Sequence, residues 1–142
     1  MLRQILSHGP TGSPRLLSCG HQAPESPTVV GVNVECRRCD RRQLPAQVTT
    51  GRRTPTFATG TVPSGLLRDH RTATWARLEV EAGSVTFREE EPRWRTTVTS
   101  GQSVTIIPDR PHRIEPSDDA RLAIQFFDLP APSAGEAGDR SR

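Results

Sequence analysis

"WARLEVEAGSVTF", residues 75–87, alternates apolar and charged side chains on either side of a glycine turn. Ala76, Leu78 and Val80 fall on one side while Arg77, Glu79 and Glu81 fall on the other, the period of two that marks a half-buried strand. Gly83 and Ser84 turn the chain, and Val85 and Phe87 resume the alternation. Downstream, "RWRTTVTSG" (93–101), "SVTIIP" (103–108), "PHRIEP" (111–116) and "ARLAIQFFDL" (120–129) follow at short intervals, separated by Pro and Asp turns. About six short strands at this spacing predict an all-β fold, a sandwich or a barrel, and closure into a barrel removes the exposed edges. The charged run "REEE" at 88–91 reads as a solvated turn.

The composition agrees. The 142 residues are 32% hydrophobic and 4% aromatic, with 13 Pro and 11 Gly, enough for one modest core and too rich in turns for a helical bundle. No run of about 18 apolar residues exists, and the N-terminus is too weakly apolar for a secretory leader, so the expected location is the cytoplasm, away from membranes. All 19 basic residues are Arg, a bias typical of a GC-rich genome, which discounts the raw Arg count as a sign of nucleic-acid binding. Residues 1–55 nevertheless hold eight Arg against Glu25, Glu35 and Asp40, a net of +5, leaving −2 for the rest. That asymmetry predicts two pieces with different partners.

Five regions follow from the pattern: disordered ends at 1–17 and 131–142, a cysteine-bearing segment at 18–43, a polar linker at 44–55, and the alternating region at 56–130. The three cysteines are odd in number and clustered, which fits reduced thiols better than a disulfide framework. Cys19-x-His21 and Cys36-x-x-Cys39 offer two close pairs of soft or borderline donors joined by "TVVGVNVE", a segment able to form a hairpin. This pattern suits the tetrahedral coordination of structural zinc, each pair on a tight knuckle of a zinc-ribbon-like module. So short a segment would draw most of its folding energy from the metal. A redox role for Cys36-x-x-Cys39 lacks the helix that would activate a thiol. Arg37, Arg38, Arg41 and Arg42 flank the second pair, leaving open an adaptor role toward nucleic acid or protein, although no aromatic residue is interleaved for base stacking.

In the second half, "HRTATWARLEVEAGSVTF" and "GQSVTIIPDRPHRIEP" resemble the first and second motifs of a cupin. With "FATGTVPSGLLRDHRT" and "DDARLAIQFFDL", residues 56–129 are similar to the small cupin-type domains associated with tellurite resistance, the TehB N-terminal-like and YeaR-like domains. The residues that carry the resemblance are His70, Thr72, Trp75, Pro108, His112, Phe126 and Phe127. It implies a small jelly-roll barrel whose mouth holds a ligand, and a link to tellurite or oxidative stress. Cupins often dimerise through an edge strand, so the resemblance also implies a homodimer. A metal-dependent cupin places two His and a Glu in its first motif and one His in its second. Here the first motif reads His70-x-Thr72 with Ala76 near the Glu position, leaving two imidazoles and no evident carboxylate.

Three readings stay open for function. In the first, His70, Thr72, Trp75, His112, Arg113 and Gln125 contact a small polar or anionic ligand, with Arg68 and Arg71 nearby to offer bidentate contacts. In the second, His70 and His112 hold a metal for oxygenase or isomerase chemistry. In the third, the basic zinc module acts as an adaptor. Hydrolysis by a Ser-His-Asp triad has no support, since no Gly-x-Ser-x-Gly elbow is present. Trp75 and Trp94 also suit plain core or rim packing.

Overall fold

The computed structural model describes residues 2–7, 15–23 and 33–129 of the chain. The fold is almost entirely β. In chain order the strands are β1 (Leu2–Ser7), β2 (Arg15–Leu17), β3 (Gln22–Ala23), β4 (Asn33–Glu35), β5 (Thr49–Arg53), β6 (Phe57–Ala58), β7 (Ala76–Ala82), β8 (Ser84–Glu90), β9 (Arg93–Thr99), β10 (Ser103–Ile106), β11 (His112–Pro116) and β12 (Arg121–Asp128). A single short helix, α1 (Arg37–Asp40), and two 3₁₀ turns complete the described residues.

The ladders are antiparallel and fall into three sheets. One runs β10-β7-β12-β5, with β6 also on β12, the second runs β11-β8-β9, and the third runs β3-β2-β1-β4. The first two face each other across one core, built from the alternation read in the sequence. Ala76, Leu78 and Val80 of β7 meet Leu122 and Ile124 of β12 and Val104 and Ile106 of β10, while Val85, Phe87, Val98 and Ile114 close it from the second sheet. Leu78, Val85 and Phe87 are fully buried, each worth about 1.5–3 kcal/mol of apolar transfer. The β7–β8 hairpin turns at Gly83 with φ +67°, where an added Cβ would stand 2.9 Å from the Ala120 backbone, so only glycine fits. Among the described residues, the strands make separate facing sheets, not one ring closed by hydrogen bonds.

A second core lies at the other end of the first sheet. Trp75, Ile107 and Phe127 meet Leu17, Cys19, Cys36 and Cys39, with Leu44, Val48 and Leu129 around them. The cysteine segment is therefore seated on the β-domain and shares a core with it.

The structure corrects several expectations. The first seventeen residues were expected to lack order, yet β1 and β2 lie there, β1 paired on both sides, with β2 and with β4. The "TVVGVNVE" hairpin falls mostly outside the described residues, and its last part, Asn33–Glu35, pairs instead with β1. The supposed linker contains β5, which has no apolar alternation to reveal it because it is an exposed edge strand held by backbone bonds to β12. The "REEE" run is mostly strand. Glu89 continues the inward series of Val85 and Phe87 and is 1% exposed, its charge met by two arginines. The tail at 131–142 lies outside the described residues.

Candidate functional site: a Cys/His cluster and a two-histidine cavity

Cys19 and His21 sit on a tight turn after β2, where the Leu17 amide bonds the His21 carbonyl at 2.9 Å and the Gly20 amide bonds the Leu17 carbonyl at 2.9 Å. Gly20, at φ +94°, takes a left-handed conformation there. Cys36 and Cys39 flank and enter α1. The four donor atoms lie within 4.8 Å of one another, and all four residues are buried. His21 Nδ1 stands 3.3 Å from the sulfurs of Cys19 and Cys36 and 3.7 Å from that of Cys39, and Cys19 and Cys36 are 3.7 Å apart. Donors about 2.3 Å from a common centre at the tetrahedral angle stand about 3.8 Å apart, so the quartet has the dimensions of a tetrahedral metal site. His21 Nε2 is 2.6 Å from the Gln43 carbonyl, which can only accept. Nε2 therefore carries the proton, and Nδ1 turns its lone pair to the sulfurs, the arrangement expected of a metal-ligating imidazole. The group could hold a metal ion.

Arg3, which the sequence did not mark, completes the surroundings. Its Nε donates to Cys39 Sγ at 3.4 Å, while its other nitrogens reach the Pro108 carbonyl at 2.7 Å and the Asp109 carboxylate at 3.1 Å. The Cys39 thiol is pulled down to about 4 by the hydrogen bond with Cys19, with His21 and Arg3 adding to it, whereas the Cys19 thiol is pushed up. Three thiolates around a divalent ion would leave one negative charge, which Arg3 faces. Trp75 donates its indole N–H to the Cys19 carbonyl at 2.6 Å and meets His21 edge-on at 5.3 Å.

The second site opens on the other side of the loop that leads into Trp75. A cavity of about 750 Å³ is walled by apolar residues, among them Phe57, Leu66, Ile106, Ile114, Ile124 and Phe126, and carries His70, Thr72 and His112. His70 and His112 are joined by a two-hydrogen-bond antiparallel bridge, each backbone N–H to the other's carbonyl at 2.9 Å, and their rings lie 4.2 Å apart at 66°. The chain reaches His112 through the corner at Pro108 and Pro111, in which Asp109 takes φ 66° and bonds its amide to the Thr72 carbonyl at 2.8 Å. The two imidazoles are anchored alike. His112 Nδ1 is 3.0 Å from the Arg110 carbonyl and His70 Nδ1 is 2.9 Å from the Arg68 carbonyl. Each Nδ1 therefore donates.

His112 is 1% exposed and stacks on Phe87 at 5.3 Å. Burial lowers its pKa to about 4, so at neutral pH the ring is uncharged and Nε2 is a bare acceptor. That Nε2 has no hydrogen-bond partner, and neither does the buried Thr72 hydroxyl. Behind His112, its ladder partner Glu89 is fully buried and bonded by Arg42 and by Arg110 at 3.3 Å, and Arg110 also reaches Asp40 at 3.0 Å. Arg42 lies 3.7 Å over the Trp94 ring. The inward alternation of β8 was the signal that could have revealed Glu89. Nothing in the sequence pointed to Arg3.

Of the six residues expected to touch a ligand, His70, Thr72 and His112 line this cavity together and the other three stand elsewhere. Trp75 is fully buried in the second core beside the cysteines. Arg113 lies outside the lining, paired with Asp69 at 3.2 Å and Glu90 at 3.6 Å. Gln125 gives its amide to the carbonyls of Gly51 at 3.1 Å and Phe126 at 2.9 Å, tying β5 to β12. Of the basic residues near the cavity, Arg71 and Arg52 lie on its lining. Of the four arginines around the second cysteine pair, Arg37, Arg38 and Arg41 are exposed, and Arg42 is committed to Glu89.

Comparison with known proteins places this geometry. Among solved structures, a protein from E. coli strain K12 superimposes with a TM-score of 0.60 at 26% identity, over 64% of this chain and 91% of its own. TehB from Haemophilus influenzae gives a TM-score of 0.56 at 19% identity over 68% of this chain, a likeness of fold alone. The match spans only 40% of that TehB chain. No curated protein matches the chain. The family model of the TehB-like domain matches residues 52–124, just over half of the chain, taking in His70, Thr72 and His112 and leaving out the four Cys/His donors. The chain thus belongs to the TehB-like domain family.

Proposed function

We propose that the chain is a cupin-type small-ligand-binding or sensing domain whose N-terminal segment is held on the β-domain by structural zinc. The observation that carries the pocket reading is His112, which lines a cavity of about 750 Å³ and whose buried Nε2 has no hydrogen-bond partner. A buried polar atom without a partner costs about 1–3 kcal/mol, and a ligand that satisfies it recovers that energy. The cavity is large enough for a small organic molecule and mostly apolar, with few polar groups to orient its occupant. The family association with tellurite resistance suggests a ligand met in tellurite or oxidative stress. Zinc is favoured at the Cys/His cluster because three thiolates and one imidazole in a closed, buried tetrahedron suit it. When bound, it would tie β2, α1 and the residues between them into one unit.

The test is a ligand-observed NMR screen of small fragments against the wild type and His112→Ala. Hits that bind the wild type and vanish in the variant support the reading. A wild type that binds none, or hits indifferent to the variant, would contradict it.

A second reading, a metal-dependent cupin enzyme, draws support from the way both histidines tie Nδ1 to a carbonyl, as metal-ligating imidazoles do. Against it, the Cys/His quartet is the sole group of three or more clustered metal donors among the described residues, so the two imidazoles have no third donor gathered beside them. Metal analysis separates the two: zinc alone, unchanged in His112→Ala, fits the first reading, and a second metal lost in that variant fits the second.

A further inference from the structure

We infer that the cavity selects a neutral hydroxylated molecule of about one ring, which donates its hydroxyl to His112 Nε2, and that it discriminates against oxyanions. The inference rests on the small-ligand reading of the pocket and goes on to name the ligand's chemistry.

The atoms able to donate decide which ligand the site can take. The Arg110 and Arg68 carbonyls accept only, so they fix the proton of each histidine on Nδ1, and the ring nitrogen left for a ligand is Nε2. For His112 this atom is a lone pair. The nearest anion, Glu89, is already neutralised by Arg42 and Arg110, so an imidazolium at His112 would be buried without a counterion of its own. A carboxylate brought to His112 would set its oxygens against that lone pair and lose its water for at most the one hydrogen bond that the Thr72 hydroxyl can donate. A hydroxyl supplies the donor that Nε2 lacks. Its own oxygen can then accept from the Thr72 hydroxyl, the other buried polar atom in this site without a partner. The two orphaned groups are of complementary use, one an acceptor and one a donor, in residues that line the same cavity.

The rest of the wall sets the body. Phe57, Leu66, Ile114, Ile124 and Phe126 are apolar, and an aromatic or alicyclic ring buries against them. Arg52 is exposed and lies 4.3 Å over the Phe126 ring, and Asp128 shares the lining with it. Arg71 is exposed and leans on the Asp109 carbonyl at 3.4 Å. Neither guanidinium stands at the buried end of the site.

Three probes with one ring and different heads test this on the full chain: phenol, anisole and benzoate, titrated at neutral pH and followed by the histidine side-chain resonances. Phenol is expected to bind saturably and move the His112 signals, with anisole and benzoate at least about tenfold weaker, since each good or lost hydrogen bond to a buried group is worth that factor. In His112→Phe, which keeps the stack on Phe87, phenol and anisole should become equal. Benzoate binding best in the wild type would overturn the inference while leaving a ligand pocket. Phenol and anisole binding equally well would do the same. Binding of none of the three, with fragments of other shapes also failing, would overturn both the inference and the pocket reading. Manganese alone shifting or broadening His112, with phenol inert, would replace the inference with a metal centre.

Discussion

At the scale of single residues, the molecule places polar groups where their charge or lone pair is controlled by a neighbour. Glu89 is the clearest case. Its carboxylate is buried but bonded by Arg42 and Arg110, and Glu89→Gln would remove the buried negative charge that both guanidinium groups face. We expect a loss of about 3–5 kcal/mol in urea unfolding. A change below about 1 kcal/mol would mean that the network contributes little. His112 makes a pH prediction. Its pKa lies at about 4 in the fold, below the ordinary 6.5 for histidine, because burial opposes its charge and His70 adds to that, partly offset by the Arg110 carbonyl and Glu89. Between those values the unfolded chain binds the extra proton, so stability rises with pH through that window and is lost as pH falls through it. The full effect is on the order of 3 kcal/mol. A melting series from pH 7 to 4 should show a smaller decline in His112→Phe than in the wild type, and equal declines would refute the assignment. His70 and His112 were paired at the level of sequence by the resemblance to two cupin motifs, with His112 set just after a proline corner. Trp75 was legible as a residue of interest but not in its place, because sequence position cannot say which of two adjoining cores an aromatic enters.

At the scale of elements, two loops link the two sites. Residues 70–75 hold His70 and Thr72 at one end and Trp75 at the other, and residues 107–112 run from Ile107 in the second core to His112 on the cavity. Arg3 clamps the second loop to Cys39, and the Trp75 indole clamps the first to the Cys19 carbonyl. A metal held by a segment folded apart from the β-domain would, on removal, release that segment alone. If the Cys/His group holds a metal as proposed, its removal here is expected to release the two loops as well. Treating the full chain with a strong chelator should raise hydrogen exchange at the amides of Leu17 and Gly20, and also at those of Asp109, His112 and Phe127, while amides in the β7–β8 hairpin stay protected. Full protection at Asp109 and His112 after metal loss would show the two sites to be independent. The sequence displayed the donor spacing of Cys19, His21, Cys36 and Cys39 because ligand chemistry is local. It did not display β1 or β5, whose ordering comes from backbone pairing and from contacts made far along the chain.

At the scale of the whole molecule, the fold is two facing antiparallel sheets with a cysteine-bearing layer seated at one end, and the cavity opens between them where β6, β10, β11 and β12 contribute its wall. The main core followed directly from the period of two in "WARLEVEAGSVTF", and Leu78→Asp, which buries an unpaired charge at its centre, should cost about 3 kcal/mol or more. Retention of full stability would refute the register. How the sheets meet was less legible, since alternation gives each strand an inner face but no partner. The central claim is that His112 Nε2 is a bare acceptor held ready for a ligand in that cavity. It is tested most directly by the long-range proton–nitrogen NMR spectrum of the histidine side chains, recorded with and without a saturating fragment hit. The account predicts His112 protonated at Nδ1 alone at neutral pH, with its Nε2 resonance moving on saturation. A proton on Nε2 in the free protein, or an Nε2 resonance unmoved at saturation, would contradict it.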